Sequence, residues 1–162
     1  MRTLDFLGLD ESRLQGVTDG LAQLLADLQV YYTNLRNFHW NVKGHRFFTM
    51  HAKFEEFYND TAEKIDEVAE RLLQLGSVPE SRFSSYLQVA EVKEVGEINN
   101  GYEVFQNILN TYKVLRARER SILNTASEMN DESTVALMSD FIREQEKTVW
   151  MLVAASEKHC QK

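Results

Sequence analysis

Apolar residues recur every three or four positions through four long stretches of this chain, and its single proline, Pro79, lies outside all of them. That spacing is the period of an amphipathic helix. With no proline to interrupt it, each stretch reads as one continuous helix. The first runs from about Ser12 to Val42 on a stripe that includes Leu21, Leu25, Leu28, Leu35 and Phe38, and Gly44 stands where it stops. The second runs from Phe47 to Leu75 through Phe54, Phe57, Ile65, Val68 and Leu72, with Gly76 and Pro79 as stop signals. The third runs from about Asn100, a good capping residue, to Glu128. The fourth runs from about Asp131 to His159. Seven glycines in all supply little turn chemistry for a strand-rich fold.

The connections choose the architecture. A few residues separate the first and second helices, and likewise the third and fourth, so each pair forms an antiparallel hairpin. About two dozen residues, Gly76 to Asn99, separate the hairpins. A plain turn needs far fewer, so this segment crosses from one end of the bundle to the other. Its stretch Ser84 to Val92 carries a short helix of its own. The expected fold is therefore all-α, a four-helix bundle with a short helix in the long crossover between the second and third helices. A length of 162 residues suits a single domain, 1–162.

No apolar run is long enough to span a membrane. The start carries Asp5, Asp10 and Glu11 and no basic leader, which does not read as a secretory signal. The lone Cys160 has no partner for an internal disulfide, and a reducing cytoplasm is the expected compartment. A formal net charge of -7 disfavours generic contact with nucleic acid, whose phosphates demand a basic surface.

The chemistry is concentrated between Asn37 and Gly76, which holds three of the four histidines. His51 and Glu55 are four apart on the second helix, as are Asp66 and Glu70, so each pair shares a face. Glu55 and Asp66 are 11 residues apart, close to three whole turns, which sets all four on one stripe. Imidazole with carboxylate is a ligand mixture that ferrous iron accepts, as do zinc and manganese. One copy of the helix cannot close such a site. His51 and Asp66 are about 22 Å apart along the axis, while metal–ligand bonds are roughly 2 Å. Two antiparallel copies across a two-fold axis bring His51 of one opposite Asp66 and Glu70 of the other, and symmetry makes two such sites. His39 joins His51 through the short hairpin. No glutamate is followed three residues later by a histidine, so the Glu-x-x-His pairs of an intra-bundle di-iron centre are missing.

The run Asn37, Phe38, His39, Trp40, Asn41, with Gly44, His51, Glu55, the segment Asp66 to Arg71 and the downstream Trp150, resembles the signature of the Dps family, mini-ferritins within the ferritin-like superfamily. The resemblance implies a ferritin-like bundle assembled as a hollow dodecamer. It implies oxidation of Fe(II), by hydrogen peroxide or more slowly by dioxygen, with ferric mineral stored inside and protection from oxidative damage as the result. His39 and His51 would come from one subunit, and Asp66 and Glu70 from its two-fold mate. Glu55 stands where the family has a further site carboxylate, and Trp40 would lie beside the iron. Asp131 and Glu132 are most simply helix-start acids, but the resemblance also sets them near a three-fold axis, where acids line an iron pore. His45 and His159 read as solvated. Members that bind DNA often carry a lysine-rich tail. The arm here has Arg2 and Arg13 with three acids and no lysine, so DNA binding is expected to be weak or absent. The alternative is a nucleoid-binding protective protein with a secondary iron site.

Overall fold

The computed structural model describes residues 1–156. In chain order they form α1 (Leu4–Leu7), a 3-10 turn (Glu11–Arg13), α2 (Gln15–Asn41), α3 (Phe47–Gln74), α4 (Phe83–Val89), α5 (Gly101–Glu128) and α6 (Glu132–Ser156). The long helices have 25 to 28 residues, and at 1.5 Å per residue each runs about 40 Å. The all-helical bundle with a helix in its crossover is the expected one. The first helix begins at Gln15 rather than near Ser12, because Asp10 accepts from the Ser12 backbone N–H at 3.0 Å and closes a separate turn there. His159 and Cys160 lie outside the described residues.

The helix ends follow local chemistry. At Gly76 the chain takes φ 78, and a Cβ at that position would stand 3.0 Å from Leu4 Cδ1. Glycine there serves both the left-handed turn and the close approach of α1. Asn100 caps α5 by accepting from the backbone N–H groups of Tyr102 and Glu103, at 2.9 and 3.3 Å. Between α5 and α6, Asn130 adopts φ 58, which asparagine tolerates better than most residues.

The α2–α3 and α5–α6 hairpins bury a core of Leu24, Leu28, Leu35, Phe54, Ile108 and Leu115, among others. Gly20 lets α5 come close, since a Cβ there would stand 2.7 Å from Ile122 Cγ1. The apolar face of α3 is only partly covered: Phe54, Val68 and Leu72 are buried, while Leu73 is 54% exposed.

The crossover is held along α2 by polar side chains. Asp27, fully buried, accepts from the backbone N–H groups of Glu91 and Val92 at 2.6 and 2.9 Å. Asn34 donates to Lys93 O at 2.9 Å and accepts from Val95 N at 3.1 Å. Asn37 donates to Gly96 O at 2.7 Å, and the Lys43 N–H reaches Asn99 O at 3.0 Å. These contacts ascend α2 in register with the crossover, which therefore runs parallel to it. Asp27 also explains why α4 ends at Val89 and not at Val92, for it captures the amides that a longer helix would use.

Candidate metal centre

His39 lies in the last turns of α2, and His51 near the start of α3. A five-residue connection, 42–46, folds them against each other. Their rings stack with centroids 3.7 Å apart and 20° between planes. Each ring is bonded to the other residue's backbone: His39 Nδ1 to His51 O at 2.7 Å, and His51 Nδ1 to His39 O at 2.8 Å.

A carbonyl oxygen only accepts, so both Nδ1 atoms carry hydrogen and donate. In the neutral rings both Nε2 atoms then present lone pairs, the form that binds a metal. The free carbonyl of His39 has a local origin. A continuing helix would send the Lys43 N–H to it, but that N–H goes to Asn99 O instead, and the His51 ring takes the vacated acceptor.

Aromatic groups wall the pair. Phe47 stacks on His51 at 5.0 Å, and Tyr58 stands edge-on to His39 at 5.3 Å. His39 is buried and His51 half-buried. Trp40 beside them is 62% exposed, with the Arg36 guanidinium carbon 4.7 Å from its ring centroid. The sequence offered a partial signal for these neighbours, since Phe47–His51 and Arg36–Trp40 are both spaced by four. Nothing in it revealed the reciprocal bonds.

Glu55 is exposed one turn beyond His51, and Asp66 and Glu70 are exposed one turn apart further along α3. None of the three carboxylates has an ion-pair partner among the described residues. The chain thus unites His39 with His51 beside the exposed Glu55, and leaves Asp66 and Glu70 at the far end of the helix. Among the described residues no group of three or more His, Cys, Asp or Glu is arranged to hold a metal ion within one chain.

Asp131 corrects one expectation. Its side chain is 1% exposed and bonded to Arg71 Nη2 at 2.6 Å, to the Thr134 backbone N–H at 3.0 Å and to the Thr134 hydroxyl at 2.5 Å. It caps α6 and pairs a buried arginine, so it cannot line a pore. A carboxylate this deeply buried requires such partners. Glu132 remains exposed, and so does His45, as expected.

Comparison with known proteins adds to this geometry. A family model described as a ferritin-like domain matches residues 18–159. The chain is 52% identical over 157 residues to a DNA protection during starvation protein of Porphyromonas gingivalis, covering 97% of this chain and 99% of that one. It resembles the crystal structure of a Dps protein from Vibrio cholerae O1, described as a member of the ferritin-like diiron-carboxylate superfamily, with TM-score 0.92 and 47% identity over 94% and 96% of the two chains. A Dps protein from Bacillus brevis superposes with TM-score 0.87 at 36% identity over 90% and 98%.

Proposed function

Because this chain belongs to the Dps family of ferritin-like proteins, we propose that it is a ferroxidase and iron-storage mini-ferritin that oxidises Fe(II) with hydrogen peroxide at sites shared between two-fold-related subunits. The observation that carries this reading is the reciprocal His39–His51 lock, which fixes two Nε2 lone pairs in place before any ion arrives. Preorganised imidazoles avoid the entropy of ordering them on binding. Fe(II) is the substrate. His39 and His51 bind it with neutral nitrogen, Glu55 stands one turn away, and Asp66 and Glu70 of the partner subunit complete the site with negative charge.

The chemistry balances as two Fe(II) giving two electrons to one hydrogen peroxide, which takes up two protons and leaves as two waters. Delivering both electrons to one peroxide avoids the hydroxyl radical that a single electron would release. The chain supplies orientation and charge, and the metal supplies the redox step. Ferric product would then collect inside a closed shell of twelve copies in the cytoplasm. No helix of the described residues is long and apolar enough to cross a membrane.

Protection of DNA on this reading comes from removing iron and peroxide. Arg2 pairs with Asp5 and Glu11, and Arg13 donates to the Glu128 carbonyl, so the arm presents no free cationic tail. A gel shift at physiological salt should show no retardation. To test the main reading, apo-protein is loaded anaerobically with Fe(II), treated with peroxide and passed over a sizing column with iron detection. Soluble ferric iron co-eluting with an assembly much larger than a dimer is expected. Precipitated iron beside a small protein species rules the reading out.

A further inference from the structure

Halfway along the α5–α6 hairpin, Glu119 and Gln145 face each other with 0% and 3% of their surface exposed. The Gln145 amide donates to Glu119 Oε1 at 2.5 Å. That leaves Glu119 Oε2 and Gln145 Oε1 buried with no partner. Two orphaned acceptors on neighbouring planar groups are a costly arrangement, because neither oxygen can donate to the other.

The charged groups nearby do not relieve it. On α3, Lys64 gives its ammonium to Asp60 at 2.6 Å and to Glu144 of α6 at 2.7 Å. On α5, Arg116 donates to the Tyr112 carbonyl at 3.2 Å, and Arg120 pairs with Glu146 of α6 at 2.6 Å. From α2, Tyr31 stands edge-on to Tyr112 of α5 at 5.7 Å, its own hydroxyl unpartnered.

A single proton satisfies both acceptors. We propose that Glu119 is a neutral carboxylic acid in the folded chain, its Oε2–H donating to Gln145 Oε1 to close a cyclic acid–amide pair that latches α5 to α6. Burial supports this assignment. It pushes the Glu119 carboxyl up to about 7, against the opposing pull of the Gln145 hydrogen bond, Lys64, Arg116 and Arg120. On the Gln145 side of the pair lies a cavity of about 260 Å³, whose walls also include Asp60, Tyr112, Glu144 and Thr148.

The sign follows from linkage. The folded-state value lies above the 4.5 of the free acid, so the latch stabilises fully below that value and its contribution is lost as pH rises through about 7. The latch, taken by itself, is tightest on the acid side. Iron oxidation followed by hydrolysis releases protons, so mineralisation under the proposed function would drive the latch closed. The latch itself does not depend on that reading.

Infrared spectroscopy of the wild-type shell tests it directly. A protonated-carboxyl carbonyl band should be present at about pH 6 and gone by about pH 9, with helix content unchanged. E119Q should lack the band. It should also keep both hydrogen bonds as an amide–amide pair, so its urea midpoint matches wild type in acid, exceeds it in alkali and loses the Glu119 part of the pH dependence. Q145M, which removes the acceptor but keeps the volume, should shift the band rather than abolish it. A wild-type spectrum without the band at about pH 6, or a band and pH profile retained in E119Q, overturns the proposal. If E119Q does not fold, the wild-type and Q145M spectra decide.

Discussion

At the scale of single residues, the two histidines show how a ligand is prepared by groups that are not ligands. His39 and His51 each spend Nδ1 on the other's carbonyl, which sets tautomer and ring direction together. His51→Ala removes one nitrogen and also releases the His39 ring from its partner. Loss of such support typically costs 10–100-fold in metal affinity, so Fe(II) affinity by anaerobic calorimetry should fall by at least about tenfold with the assembly intact. Asp131 is the opposite case, an acid whose role is entirely internal. Asp131→Ala strands the buried Arg71 guanidinium and uncaps α6. It should lower stability by about 3–5 kcal/mol, read from denaturant midpoints, and leave the Fe(II) affinity of well-folded protein close to normal.

At the scale of elements, the crossover is the part a helical pattern describes least. Its extended portion has no sheet to join, so its amides and carbonyls are satisfied by Asp27, Asn34 and Asn37 of α2. Those residues interrupt the apolar stripe of α2, and the interruption is the trace this arrangement leaves in the sequence. Asn34→Ala strands the Val95 N–H and the Lys93 carbonyl together. The loss should cost about 1–3 kcal/mol. Hydrogen exchange should show it locally, with faster exchange at Val95 and little change at Ile108 or Leu115 in the bundle core. Uniform protection across the crossover in that variant would mean the side chain is not what holds it.

At the scale of the whole molecule, the proposed site is incomplete in one chain. Leu73 and Trp40 are exposed on α3 and α2, and the two halves of the proposed site stand at opposite ends of α3. A two-fold contact repeats each half-site against its complement, and mixing distinguishes a shared site from a private one. Shells co-assembled from equal amounts of H51A chains and D66N/E70Q chains contain mixed pairs, each with one intact site and one doubly broken one. Random pairing predicts recovery of about a quarter of wild-type oxidation, well above either parent shell alone. Mixed shells as inactive as their parents would rule out a site that pairs His51 of one chain with Asp66 and Glu70 of the other.

The sequence by itself determined the four long helices to within a turn at the ends that are described, the hairpin pairing, the crossover and the placing of His51, Glu55, Asp66 and Glu70 on one helix. These are consequences of 3.6-residue periodicity and of glycine and proline at the breaks, and backbone geometry makes such features local. It also determined that His51 and Asp66 of one chain cannot meet, because helical rise fixes their separation. The tertiary structure alone decided the rest. It buried the helix-start acid Asp131 against Arg71, tied the crossover to Asp27 and Asn34, and set Glu119 against Gln145. It also made the His39 carbonyl available to His51. In each case the outcome depends on which donors and acceptors remain unpaired once distant segments have packed, and spacing along the chain shows at most that a polar residue breaks a stripe, not what it bonds.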